Sequence, residues 1–245
     1  MKHTTETSQQ LEEFEKEVSM LDKFRSEYIL HFYGACFIPN KICLVTEFAP
    51  FGSISDLMKE QKEICSVRNM MKIKFMLDAA KGIEYLHING IMYRDIKPDN
   101  FLVITLEEGA KVNAKLTDFG SVRNVNLLMT NMTFTKGIGS PAFMAPEILN
   151  KQRYKKSSDV YSFGVTMYEI FQWEEAYPKS HFRFPWQIAE FVTNGKRLEI
   201  SFLNPNIQRI IEMCWAHNPN ERLRIEDAVS LLETEYLKFM TNQYD

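Results

Sequence analysis

Leu11, Phe14, Val18 and Leu21 recur at three- and four-residue steps with acids and lysines between them, which predicts an amphipathic helix over residues 8–24. The period then shortens. Residues 29–33 and 42–48 are brief runs rich in β-branched and aromatic side chains, and they read as strands separated by the turn-forming Pro39-Asn40-Lys41. Pro50-Phe51-Gly52-Ser53 is a breaker cluster, and helical periods dominate beyond it. Over residues 69–89, Ile73, Met76, Leu77, Ala80, Ile83 and Leu86 share one face, and Gly90 follows as a stop. Residues 101–104 and 114–116 predict a short hairpin around Glu107-Glu108-Gly109. Residues 158–173 are apolar nearly all round, as in a buried central helix. Three further helices are predicted at 186–194, 205–217 and 225–240. Few strands followed by many helices is the α+β pattern. The breaker cluster divides it into two lobes: residues 1–49, strand-rich, and residues 50–245, mainly helical.

Composition narrows the classes. The chain has 245 residues, enough for a large core, with ordinary globular proportions of 45% hydrophobic and 25% charged side chains. A formal net charge of −3 argues against nucleic-acid partners and anionic membranes. No apolar run approaches the roughly 18 residues of a membrane span. The polar, acidic first twenty residues do not read as a signal peptide. Cys36, Cys43, Cys65 and Cys214 are far apart in sequence without metal-ligand spacing, so they read as reduced thiols of a cytosolic protein.

The chemistry concentrates in Tyr93-Arg94-Asp95-Ile96-Lys97-Pro98-Asp99-Asn100, followed 18 residues after its asparagine by Asp118-Phe119-Gly120. Phosphoryl transfer needs a carboxylate near the attacking hydroxyl, a cation on the moving phosphate and oxygen ligands for magnesium. Asp95, Lys97, Asn100 and Asp118 are side chains of those types. In order and spacing the segment resembles the catalytic loop and magnesium loop of eukaryotic protein kinases. The resemblance extends from Lys2 to about Leu237 and implies a two-lobed kinase fold acting on ATP, Mg2+ and protein substrates. It makes Asp95 the base, Lys97 the cation, and Asn100 and Asp118 the metal ligands.

Other positions follow from the same resemblance. Lys2 would hold the nucleotide phosphates and pair with Glu17, fifteen residues on. Thr46 would be the gatekeeper behind the adenine, with Glu47 and Ala49 bonding it through their backbone and Leu102 also in the ATP site. Asp56 fits either a ribose contact or a solvated helix start. Arg94 would receive an activation-loop phosphate, with Thr130, Thr133 and Thr135 as candidate phosphosites. Ser140 would bond Asp95 and Lys97, Glu147 would pair with Arg222, and Asp159 would hold the catalytic-loop backbone. Leu21, Phe32, Tyr93 and Phe119 would stack as a hydrophobic column. Tyr93 stands where the family usually has histidine, and Leu223 where it generally has proline.

Lys97-Pro98 favours serine/threonine specificity over tyrosine or dual specificity. Together with Thr46, Cys214-Trp215 and Tyr33-Gly34 it resembles the tyrosine-kinase-like group. The family carries two strands and a glycine-rich phosphate lid ahead of the position of Lys2, and no glycine precedes Gly34 here. The expectation is a cytoplasmic serine/threonine kinase domain in signalling, seen from its third strand onward, or the intracellular part of a longer membrane-anchored kinase. The alternative is a catalytically impaired fragment or pseudokinase that serves as a protein-interaction module.

Overall fold

In the hairpin formed by β1 (Phe32–Ile38) and β2 (Lys41–Thr46), antiparallel pairing runs from Ile38↔Lys41 to Phe32↔Thr46, with an irregularity between Phe32 and Gly34. The structure is a computed structural model that describes residues 18–19, 21–38, 41–60, 67–120, 122–124 and 140–241. Most of the helix expected at 8–24, together with Lys2, Glu17, Thr130, Thr133 and Thr135, lies outside the described residues. The first strand starts later than the apolar run at 29–33 suggests. Ile29 and Leu30 are buried instead against the other lobe, where Leu30 N–H donates to Leu116 O and Leu116 N–H to Tyr28 O, both at 2.9 Å.

Beyond the breaker cluster, α1 (Ile54–Glu60) is started by a reciprocal cap. Asp56 N–H donates to Ser53 Oγ (3.0 Å), and Ser53 N–H and Oγ–H donate to Asp56 Oδ2 (3.0 and 2.7 Å). Next come α2 (Asn69–Ile88) and the two-residue β3 (Ile91–Met92). A single 3-10 turn, Pro98–Asn100, leads into β4 (Phe101–Val103), which pairs with β5 (Ala114–Leu116) as the sequence predicts. β6 (Arg123–Asn124) returns to pair with β3.

The rest is helical: α3 (Pro146–Leu149), α4 (Lys156–Gln172), α5 (Pro185–Thr193), α6 (Pro205–Cys214) and α7 (Ile225–Thr241). α4 is buried along almost its whole length. It packs against α6 so closely that a Cβ at Gly164 would come within 2.9 Å of Cys214 Cβ, so glycine is required at that crossing. α2 packs on α7, and the core runs continuously from Leu21 to Leu232. This is an α+β architecture, with few short strands and a mainly helical remainder. Among the described residues no helix is long and apolar enough to cross a membrane.

Candidate active site

The β4–β5 hairpin and the turn before it gather the site. Lys97 Nζ donates to Asp95 Oδ2 at 2.7 Å. Asn100 Nδ2 donates to the Asp95 carbonyl (2.7 Å) and to Asp95 Oδ2 (3.1 Å). Asn100 is thereby oriented by its nitrogen, which leaves its side-chain oxygen as an acceptor. Thr117 N–H donates to Asn100 O at 3.0 Å, which brings the adjoining Asp118 beside it. Asp118 has φ 53°, a left-handed conformation that aspartate tolerates better than most residues. Its exposed carboxylate accepts from Gly120 N–H at 3.3 Å through Oδ1.

The donor set suits magnesium with nucleotide phosphates. Both available donors are hard oxygens, and one carboxylate plus phosphate oxygens is the usual arrangement for that ion. No group of three or more His, Cys, Asp or Glu side chains forms a dedicated cage among the described residues, and phosphoryl transfer requires none.

Asp159, in the first turn of α4, fixes the loop from below. It is fully buried and accepts from Tyr93 N–H (3.0 Å), Arg94 N–H (2.9 Å), Tyr154 Oη–H (2.7 Å) and His87 Nε2–H (2.8 Å). Arg94 has φ 76°, a conformation that costs about 1–3 kcal/mol and persists only where the surroundings impose it. The bond from its N–H to Asp159 is one such constraint. Tyr93 is buried and its hydroxyl donates to Thr117 O, one residue before Asp118. Burial, and then the nearby Asp118, Asp95 and Asp159, push its pKa well above the ordinary tyrosine value, so it stays a neutral donor. Its ring meets Phe119 edge-on at 5.8 Å, and Phe24 packs on Phe119 at 4.9 Å. Leu21 is buried and Phe32 partly buried in the same core cluster.

A second buried carboxylate anchors the segment that follows. Arg222 Nη1–H and Nη2–H donate to Glu147 Oε1 and Oε2 at 2.8 and 2.7 Å, and Ser158 Oγ–H adds a bond to Oε1 at 2.8 Å. Burial pushes the Glu147 pKa up, but Arg222 and Ser158 outweigh it and hold the carboxyl below its usual range.

Five sequence-predicted residues take places that the sequence left open. Thr46 ends β2, and its hydroxyl donates to Glu47 O at 3.2 Å. The Glu47 carboxylate accepts two bonds from Lys115 Nζ (2.8 and 2.7 Å) and one from His31 N–H (3.2 Å). The Ala49 carbonyl accepts from Gly52 N–H at 3.3 Å in the turn that enters the helical lobe, and Leu102, in β4, bridges to Ser53. Asp56, in the first turn of α1, is the reciprocal partner of the Ser53 cap, and hydrogen bonds from Ser53 lower its pKa.

Among the described residues no hydrogen bond joins Ser140 to Asp95 or Lys97. Lys97 reaches Asp95 directly, and Ser140 opens the 3-10 turn Pro141–Phe143 with its carbonyl accepting from Phe143 N–H. Sequence reasoning missed Lys115, His87 and Tyr154. Only Lys115 left a signal, as a charge alternating with buried Ala114 and Leu116 in a strand. A cavity of about 600 Å³ lies elsewhere, among Ile73, Tyr168, Phe171, Phe202 and Phe239 on the helical lobe.

The family described as protein tyrosine and serine/threonine kinase matches residues 1–232. A relative from Dictyostelium discoideum, named probable serine/threonine-protein kinase gdt2, is 33% identical over 96% of this chain and 14% of its own length. Another from the same organism, named dual specificity protein kinase shkB, is 32% identical over 86% of this chain and 32% of its own. The chain thus spans a minor part of either relative.

Proposed function

We propose that this chain, which belongs to the protein tyrosine and serine/threonine kinase family, transfers the γ-phosphoryl group of ATP to serine and threonine hydroxyls of proteins in intracellular signalling. The observation that carries the reading is the convergence of Lys97 and Asn100 on one Asp95 carboxylate, with the backbone of Asn100 bonded to Thr117, the residue before Asp118. Magnesium would be held by Asn100 and Asp118 and would neutralise charge on the phosphates. Asp95 orients the attacking hydroxyl and takes its proton as the oxygen–phosphorus bond forms. Lys97 neutralises the moving phosphoryl group while ADP leaves. Thr46, Glu47, Ala49 and Leu102 are the proposed adenine side of the site, with Lys2 and Glu17 on the phosphates.

Specificity rests on Lys97-Pro98 and on the serine/threonine description carried by gdt2. The name of shkB supports dual specificity as the second reading. Within the family we assign the chain to the tyrosine-kinase-like group on Thr46, Tyr33-Gly34 and Cys214-Trp215. Thr133 or Thr135 is the proposed phosphosite paired with Arg94. Calorimetric titration with ATP and magnesium tests the metal assignment. Asp118→Ala is expected to abolish magnesium-dependent nucleotide binding, and unchanged binding would refute the role given to Asp118. Phosphoamino-acid analysis of a phosphorylated basic protein then separates phosphoserine and phosphothreonine from phosphotyrosine.

A further inference from the structure

Cys36 and Cys43 sit directly opposite each other across the β1–β2 hairpin, and both are exposed. Their separation in sequence hides this, because only the antiparallel register brings them together. Opposed side chains leave a sheet on the same face with Cβ atoms about 4.5–5.5 Å apart. Opposed Cα atoms are about 4.5 or 5.5 Å apart, and both separations lie within the span of a disulfide.

The period-two alternation also decides the face. Leu44, on the inner face, packs against the core, whereas Val45 is 50% exposed and shares the face of Cys43. Gly34, opposite Val45 on that face, has open space where a Cβ would stand. A reagent can reach the two thiols there, and a bond between them displaces no core side chain. Cys214 differs: it is buried against α4, and burial pushes its thiol pKa up to about 12, so it stays a protonated thiol.

We propose that Cys36 and Cys43 form a reversible dithiol–disulfide pair, a modification site on the outer face of the strand that runs into Thr46. The oxidant is a low-molecular-weight disulfide of the oxidised-glutathione class. The thiolate of one cysteine attacks it, forming a mixed disulfide and releasing one small thiol. The facing thiolate then attacks the protein sulfur of that mixed disulfide, closing the Cys36–Cys43 bond and releasing the second small thiol. Two electrons pass from the cysteines to the oxidant, and the two protein protons end on the released thiols. The tie joins the hairpin one turn of strand before the segment held by Glu47 and Lys115.

The test uses the full chain carrying C65S, which prevents exchange with Cys65, a residue outside the described set. After oxidised glutathione treatment of the native protein, mass spectrometry is expected to show loss of two hydrogens without retained glutathione. Peptide mapping under non-reducing acid should place the link between Cys36 and Cys43, and dithiothreitol should reverse it. Adding C36S or C43S should leave one glutathione on the remaining cysteine. Phenylarsine oxide, which bridges facing thiols, should be retained by the C65S protein and lost from the C36S variant. Stable glutathionylation at both positions, no reaction at either, or a link that forms only after denaturation would overturn the proposal. None of these readouts depends on phosphotransfer.

Discussion

Around Asp95 the backbone is held by a buried carboxylate of the helical lobe, whereas the hairpin above it turns much of its surface to water. Asp159 receives both Tyr93 N–H and Arg94 N–H. In the hairpin and the segment after it, Tyr33 is 67% and Phe48 82% exposed. The two regions meet at the seam through Glu47 and Lys115 and through Leu30 and Leu116. The difference separates two tasks. The strained φ at Arg94 survives because α4 imposes it, so the chemistry is positioned from the helical lobe. The hairpin adds a more exposed wall, joined at the seam by the Glu47–Lys115 ion pair and by the backbone bonds of Tyr28 and Leu30 with Leu116.

Removing one partner of the Glu147–Arg222 pair is the strongest way to break this asymmetry. Arg222→Met should cost about 3–5 kcal/mol in chemical denaturation, because it strands a buried carboxylate. A loss near zero would mean that the helical lobe does not depend on the pair. Asp159→Asn comes next. An amide nitrogen would face a backbone N–H, a mismatch worth about 1–3 kcal/mol. Phosphotransfer should fall further than stability, since the loop loses its template, and an equal fall in both would contradict a positioning role.

The helical lobe should also carry a pH signature. Burial raises the Glu169 pKa to about 8, offset in part by Ala176 N–H at 2.8 Å. Its folded value lies above its unfolded one, so the folded state holds the proton more tightly. That contribution is complete below about pH 4.5 and is lost as pH rises through about 8. Glu169→Gln should flatten the decline in melting temperature across that window, and an unchanged slope would remove Glu169 as its source. The smallest effect is expected at the seam. Lys115→Ala should cost about 1 kcal/mol or less of stability. It should change nucleotide affinity more than the rate of the bound complex, as measured by separate KM and kcat values.

The long helices were legible because their burial follows from periodicity: α2 and α4 lie within two residues of the spans that Ile73 to Leu86 and the apolar run at 158–173 predict. The β4–β5 hairpin was legible for the same reason. β3 and β6, two residues each, are too short to show a period. α1 was obscured because its cap, Ser53, lies inside the breaker cluster. At the site, residue types and spacing pointed to Asp95, Lys97, Asn100 and Asp118. They could not show that His87 and Tyr154 share Asp159, because that relation exists only through space. The facing of Cys36 and Cys43 required a register, and a slip of two residues would leave the pattern of faces unchanged.

The most direct measurement is label transfer from γ-labelled ATP with magnesium to a basic protein substrate, comparing the chain with Asp95→Asn. The account predicts transfer by the chain and a fall of about 10²–10⁴-fold in the variant, the usual contribution of a positioned general base. Equal rates in the two proteins, or no transfer by either, would contradict the assignment of Asp95 and its neighbours as a working phosphotransfer site.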